Sequence, residues 1–311
     1  MTFTCQLCHS HAASPIPAKD AKSKQALAIS VCQNCGLVQQ TELPDDETLS
    51  NYYSHHYRAD YKNAYTPQLK HVHRAGLTAL NRIQFLKQTV KPDQHPRLLD
   101  IGAGGGEFVY VAAQHGFQAT GIEPNQGYSE YAKTQYGIEI NTMMLAELSP
   151  ASQDVISLFH VFEHMANPET VLAKIWDALS ADGRFLIEVP NILQKDASPH
   201  NIFFKAHLFY YCRQTLIAAA SRYFEVLSLE DTGNLMILFK KRAEILEQQM
   251  LPTSNDVALI KTRLDQKGWL EYLFAGGGLL KIFTKIKQAQ LEKNLPKIPP
   301  KALLDSLINQ Q

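Results

Sequence analysis

The sequence predicts an α/β fold, a mainly parallel sheet with helices on both faces, flanked by a small cysteine-rich N-terminal knob and a helical C-terminal extension. Three observations predict it. From Arg97 to about Arg242 short apolar runs alternate with amphipathic stretches, the pattern of strands joined by crossover helices. A glycine-rich turn, Gly102-Ala103-Gly104-Gly105-Gly106, closes the first run and opens a helix. Four of the five cysteines fall in two C-x-x-C pairs near the N-terminus.

The chain has 311 residues, enough for about two domains. Hydrophobic residues make up 45% and charged residues 19%, so it can bury a core and is not a disordered chain. Lys plus Arg equals Asp plus Glu at 30 each, which argues against a nucleic-acid partner, whose phosphates demand a basic surface. No apolar run reaches the roughly 18 residues of a membrane span. The start, Met1-Thr2-Phe3-Thr4-Cys5, lacks a basic region followed by an apolar core, so a cytoplasmic chain with reduced cysteines is expected.

Residues 1–43 form the knob. Cys5-Gln6-Leu7-Cys8 and Cys32-Gln33-Asn34-Cys35 stand 23 residues apart. Two tight turns aim four thiolates at one ion, and four thiolates leave no coordination position open, so Cys5, Cys8, Cys32 and Cys35 are expected to hold a structural zinc. Gly36 follows the second pair, where a left-handed residue is needed. Cys5-Gln6-Leu7-Cys8-His9 also matches a haem-attachment pattern, which leaves the second pair unexplained. Residues 44–96 read as a Tyr- and His-rich lid, with Tyr52, Tyr53, His55, His56, Tyr57 and Tyr61, and then a helix from about Gln68 to Thr89, where Leu69, Val72, Leu77, Leu80, Ile83 and Leu86 recur at helical spacing.

Within residues 97–242 the strand candidates are Arg97–Ile101, Gln118–Ile122, Gly137–Ile140, Asp154–Phe159, Arg184–Val189, Phe224–Glu230 and Leu235–Lys240, the last two a hairpin through Thr232-Gly233-Asn234. The glycine turn is not a dinucleotide fingerprint, because Glu107 stands where the third glycine belongs and a carboxylate there repels pyrophosphate. No G-K-[ST] follows, so it is not a P-loop.

Asp100-x-Gly102-x-Gly104-x-Gly106 resembles the first motif of class I S-adenosylmethionine-dependent methyltransferases. The segment from Asp154 to His164 resembles that family's fourth strand with its H-V-x-E-H continuation, and Ala181 to Asn191 resembles its fifth strand, with Asp182 in place of a glycine. The resemblance implies a seven-stranded Rossmann-like methyltransferase sheet and S-adenosylmethionine as cofactor. Gly102, Gly104 and Gly106 would hold the methionine part with Asp100 orienting it, and Glu123 would accept hydrogen bonds from the ribose diol. Met144 and Leu145 would lie at the adenine, although core packing explains them equally well.

The segment His207-Leu208-Phe209-Tyr210-Tyr211-Cys212-Arg213-Gln214-Thr215-Leu216 resembles one found in sugar and polysaccharide methyltransferases of this class. The subgroup that methylates carbon of nucleotide-linked deoxyketosugars also carries a four-cysteine zinc domain and a Tyr-rich segment, and there the histidine acts as base. Ala206 stands where that subgroup often has glutamate, and the C-terminal part is much shorter, so C- and O-methylation both remain open. His207 is the first candidate for the proton acceptor. His160, directly after the fourth strand, is the second and is also a cofactor-side candidate. The expected substrate is a sugar, nucleotide-sugar or glycan precursor. The rivals are O- or N-methylation of a secondary metabolite and a zinc-ribbon scaffold without catalysis.

Residues 243–311 read as helical, interrupted at Gly276-Gly277-Gly278. From Lys240 to Gln311 there are 12 Lys plus Arg against 7 Asp plus Glu. A basic amphipathic stretch such as Leu279 to Lys287 suits packing on the chain's own core, a second copy in a homodimer, or peripheral contact with a membrane surface.

Overall fold

The computed structural model describes residues 3–44 and 67–310. Tyr52, Tyr53, His55, His56, Tyr57 and Tyr61 lie outside the described residues. In chain order the strands are β1 (Ala13–Lys19), β2 (Ala26–Cys32), β3 (Val38–Gln40), β4 (Arg97–Ile101), β5 (Gln118–Ile122), β6 (Ile140–Asn141), β7 (Gln153–Phe159), β8 (Leu179–Val189), β9 (Phe209–Tyr210), β10 (Phe224–Glu230) and β11 (Leu235–Lys241). The α-helices are α1 (Leu69–Lys87), α2 (Glu107–Gln114), α3 (Gln126–Tyr136), α4 (Pro168–Ala178), α5 (Arg213–Ala220), α6 (Ser254–Asp265), α7 (Gly278–Lys293) and α8 (Pro300–Ile308). One sheet has the order β1-β2-β3-β9 and the other, seven-stranded, the order β10-β11-β8-β7-β4-β5-β6. In the larger sheet β4 pairs in parallel with β5 and β7, and β5 with β6, whereas β10 and β11 form the expected antiparallel hairpin, so the sheet is mixed.

The chain divides into two compact units. The first comprises Met1–Leu49, His160–Ala173 and Glu188–Lys287; the second comprises Ser50–Phe159, Lys174–Ile187 and Gln288–Gln311. In the second unit β4 buries Leu98, Leu99 and Ile101, and α2 buries Phe108, Val109, Tyr110, Val111 and Ala112. The periodicity of α1 is realised in Val72, Leu80, Ile83 and Leu86, which form its buried face, whereas Leu77 of the expected stripe is 44% exposed. The C-terminal helix α8 belongs to this core and buries Leu303, Leu304 and Leu307. It reaches α1 at Gly76, where a Cβ would meet Leu304 Cδ2 at 2.6 Å and Leu307 Cδ1 at 2.9 Å. Tyr110 donates its hydroxyl proton to Asp305 of α8.

In the first unit the small sheet closes on a core of Ile29, Val31, Val38, Ile192, Tyr210, Cys212 and Ile260. Cys212 is thus a buried core thiol, in line with its apolar neighbours in the sequence. On α7, Leu280 and Phe283 remain exposed at 68% and 70%. No helix of the described residues is long and apolar enough to cross a membrane.

Three element boundaries differ from the sequence expectation. Gly137 does not start a strand: at φ 69° it caps α3 in the left-handed region, its N–H bonded to the Lys133 carbonyl, and β6 begins only at Ile140. Strand β8 starts at Leu179, five residues ahead of the expected Arg184. Residues 243–253 are not helical; α6 starts at Ser254, where Thr253 and Asp256 bond reciprocally in a capping box.

Asp154 at the start of β7 accepts from Arg97 Nε at 2.9 Å, Nη2 at 2.7 Å and the Arg97 backbone N–H at 3.1 Å, joining β7 to β4. The Arg97 guanidinium holds the Asp154 carboxyl down at about 2, against a burial that opposes it. A depressed carboxylate stabilises the fold above its unfolded pKa and loses that contribution as pH falls through the folded value. Arg97→Gln should therefore destabilise the protein by about 1–2 kcal/mol at neutral pH, the half-exposed guanidinium limiting the effect. In urea unfolding the gap to wild type should shrink below about pH 4. A gap that persists undiminished in acid would contradict the assignment.

Candidate functional site

The second unit carries the glycine turn. Strand β4 ends at Ile101, and Gly102, Gly104 and Gly106 follow at φ of 74°, 52° and 85°, a run of left-handed conformations that side chains disfavour. Gly102 and Ala103 donate to the Ile122 carbonyl at 2.8 and 3.1 Å, tying the turn to the end of β5. A Cβ on Gly106 would strike Ile138 Cδ1 at 2.7 Å, whereas one on Gly104 would meet nothing within 4 Å. The turn is packed beneath Gly106 and open at Gly104, which is the shape of a cradle for a ligand.

Glu123 stands just past β5. One carboxylate oxygen accepts from the Gly104 N–H at 3.1 Å and the other from the Asn125 N–H at 2.9 Å. These two bonds set the orientation of the carboxylate before any ligand arrives. Asp100 is 3% exposed and accepts from Ser157 Oγ at 2.7 Å. Burial pushes its carboxyl up to about 7. Its visible role is beneath the turn, bonded to β7. Met144 is 61% exposed and precedes a short turn of 3-10 helix, Leu145–Glu147. The donor set fits S-adenosylmethionine: an open glycine turn, an oriented acceptor for a diol, and an exposed apolar side chain.

The first unit carries the four cysteines. Their sulfurs all lie within 4.8 Å of one another, with Cys5 Sγ to Cys35 Sγ and Cys8 Sγ to Cys32 Sγ both 3.5 Å. Ligand sulfurs around a tetrahedral zinc at Zn–S of about 2.3 Å stand about 3.8 Å apart, so the four thiolates fit that ion. Both turns are built alike. The N–H of His9 donates to the Cys5 carbonyl at 3.0 Å and that of Gly36 to the Cys32 carbonyl at 3.1 Å. His9 and Gly36 are left-handed at φ 56° and 76°. Only the second turn uses the residue best suited to that conformation.

The same unit holds both candidate histidines, in different electrostatic settings. His160 has φ 56°, and its N–H donates to the Glu188 carbonyl at 2.8 Å. Its Nε2 is 3.1 Å from Glu188 Oε1 and its Nδ1 is 3.6 Å from Glu163 Oε1. Burial alone would lower its pKa, but the Glu163 and Glu188 carboxylates outweigh burial and raise it to about 9. At neutral pH this ring holds its proton and donates. His207 is the opposite case: burial, reinforced by the charge of His164, lowers it to about 4, leaving a neutral ring. That ring lies 4.8 Å from His164 and 5.0 Å from Phe204 between centroids.

The backbone around His207 is held by the N-terminal sheet. Val38 pairs with Tyr210 and Gln39 with Phe209. Gln40 Nε2 donates to the His207 carbonyl at 2.9 Å and to that of Lys205 at 2.8 Å. Asp20 accepts from the Lys205 N–H at 2.8 Å. Sequence reading missed Gln40, Asp20 and Glu188 as partners of this site. Only Glu188 carried a signal, as an acidic residue inside an apolar strand run.

If the thiolates hold zinc, Cys32→Ala should cost the purified chain one equivalent of zinc in elemental analysis and should loosen the β2–β3 hairpin, read as faster amide exchange at Val31 and Val38. Unchanged metal content would refute the assignment.

A family model described as "Methyltransferase domain" matches residues 70–229. Among similar proteins, the ubiquinone biosynthesis O-methyltransferase of Aeromonas salmonicida (strain A449) is 30% identical over 103 residues, 30% of this chain and 43% of that protein. The one from Maricaulis maris (strain MCS10) is 31% identical over 108 residues, 29% of this chain and 42% of that protein. The chain therefore spans less than half the length of the curated relatives it matches. The solved structure of the PH0226 protein from Pyrococcus horikoshii OT3 aligns with a TM-score of 0.46 at 16% identity, covering 62% of this chain and 99% of that one. The model's span is 160 of the 311 residues and takes in the glycine turn, Glu123, the Glu163–His164 pair and His207; the chain belongs to the methyltransferase-domain family.

Proposed function

We propose that the protein transfers the methyl group of S-adenosylmethionine to a hydroxyl oxygen of a small polar substrate of the sugar or nucleotide-sugar class. The observation that carries the cofactor half is the glycine turn open at Gly104 with Glu123 bonded to its N–H at 3.1 Å. Oxygen as acceptor draws support from the relatives, which are named O-methyltransferases. A polar substrate draws support from a cleft of about 550 Å³ in the first unit, lined among others by Asn191, Gln194, Lys195, Asp196, Arg213 and Asp231. Such a lining offers both hydrogen-bond donors and acceptors to hydroxyls.

In the transfer an oxygen–carbon bond forms while the carbon–sulfur bond breaks, and the electron pair stays on sulfur, which becomes neutral. The chain's tasks are to hold cofactor and substrate in line and to take charge of the hydroxyl proton. We assign the second task to the buried Glu163–His164–His207 cluster. His207 is the member singled out by its sequence context. The cofactor residues are Asp100, Gly102, Gly104, Gly106 and Glu123, with Met144 and Leu145 proposed at the adenine.

Glu123→Ala should weaken S-adenosylhomocysteine binding at least about tenfold in calorimetry, as expected for loss of a charged hydrogen-bond acceptor. Binding of NAD in place of S-adenosylhomocysteine would sink the cofactor reading. His207→Asn should lower turnover by about 10²–10⁴ with cofactor affinity unchanged, measured with nucleotide sugars as trial acceptors. Near-normal turnover in that variant would remove the cluster from the reaction.

A further inference from the structure

Glu163, His164 and His207 form a second group of metal-ligand type, separate from the four cysteines. One ligand atom from each lies within 4.8 Å of the other two. Glu163 is 1% exposed, and neither carboxylate oxygen has a hydrogen-bond partner. Taken out of water without a hydrogen bond, this carboxylate has the charge of the His160 imidazolium, its Nδ1 3.6 Å away, to offset it, and a bound cation would complete that compensation. The nearest imidazole nitrogens, His160 Nδ1 at 3.6 Å and His164 Nε2 at 3.9 Å, are too distant for hydrogen bonds. Within the cluster, the 3.9 Å between His164 Nε2 and Glu163 Oε1 is about half an ångström wider than the roughly 3.3–3.5 Å that two ligands of one tetrahedral ion adopt, so a bound ion would draw the two groups together.

The surroundings are also those of a ligand set. His164 Nδ1 donates to the Ala206 carbonyl at 2.8 Å, which fixes the orientation of the ring. A backbone carbonyl in that position is the usual device for fixing the tautomer of a ligating histidine. The Leu208 N–H donates to the Glu163 carbonyl at 2.8 Å, so the chain on either side of His207 is tied to the short Phe162–His164 turn that carries the other two groups.

We propose that Glu163, His164 and His207 bind a divalent transition-metal ion, with zinc as the ion best matched to two imidazoles and a carboxylate. Three protein ligands leave a coordination position that four thiolates do not, and a water or a substrate hydroxyl would take it. The ion lowers the pKa of an oxygen bound there. In this catalytic consequence the inference deepens the functional reading and rests on it: the hydroxyl proton passes to water, and the resulting oxygen attacks the methyl carbon as the carbon–sulfur bond breaks. Ion binding itself rests on the cluster alone.

The test is a cobalt titration of the full chain after chelator treatment. Cobalt on four thiolates gives intense sulfur-to-metal charge-transfer bands, whereas cobalt on imidazole and carboxylate gives only weaker visible bands. The expected result is saturation at two equivalents per chain, the second adding no charge-transfer intensity. Glu163→Gln and His164→Asn should each lose that second equivalent while keeping the first and keeping S-adenosylhomocysteine binding. Saturation at one equivalent with the thiolate spectrum alone would overturn the proposal and leave Glu163 as a counter-charge to the His160 imidazolium. The wild-type titration decides the matter even if a variant fails to fold. Failure of the methyltransferase reading would appear separately, as absent S-adenosylhomocysteine binding.

Discussion

The pairing of β3 with β9 is the constraint on which the His207 segment of this protein depends. Two residues of the N-terminal hairpin, Val38 and Gln39, lie against Tyr210 and Phe209, far along the chain. Strand side chains alternate between faces, so a slip of one residue would turn Tyr210 out of the core it shares with Ile29, Val31 and Ile260. It would also break the Gln40 bonds to the carbonyls of Lys205 and His207. The cysteine knob is thus a clamp on the His207 segment. Ile260 of α6 closes the same clamp from beyond the catalytic-family core, its Cδ1 2.8 Å from where a Cβ on Gly36 would stand.

Within that frame, two histidines of the same unit are driven in opposite directions by where the carboxylates fall. His160 sits between Glu188 and Glu163 and holds its proton; His207 is buried near His164 and stays neutral. Burial acts on both rings in the same sense. The difference lies in the number of anions at close range, and low polarity in the interior magnifies it. Glu163 is common to both settings, which is why a change there would be felt at two rings at once. At the glycine turn a single carboxylate likewise serves two elements: Glu123 accepts one bond from each of two backbone N–H groups, those of Gly104 and Asn125.

Much of the fold was legible in the residues. Strands β4 and β5 fall at the expected bounds because each is a short apolar run bracketed by Pro or Gly, and α1 because its apolar spacing repeats over five turns. Strand β8 starts ahead of the expected Arg184, and its first residues fold back on themselves: a Cβ on Gly183 would meet Leu179 Cβ at 2.7 Å, a local turn inside the strand's span. Gly137 was misjudged for a related reason: an apolar residue follows it, but its left-handed φ serves as a helix cap. The C-terminal residues read as a helical extension, and α8 packs Leu303, Leu304 and Leu307 at helical spacing into the second unit's core, where Leu304 and Leu307 meet Gly76 of α1, a partner that only the fold reveals.

The sequence by itself determined the chemistry available: four thiols in two turns, a glycine turn with a carboxylate after the next strand, and histidines on either side of the fifth strand. These are local patterns, and local patterns survive in a linear reading because backbone conformation and short-range spacing set them. Only the tertiary structure decided which of those groups face each other. It brought Glu163, His164 and His207 within 4.8 Å, set Glu188 against His160, and laid the N-terminal hairpin along β9. Such contacts join residues scores of positions apart, and nothing in the identity of Gln40 or Glu188 announces its partner. Long-range pairing and burial select them, and both are properties of the folded chain as a whole.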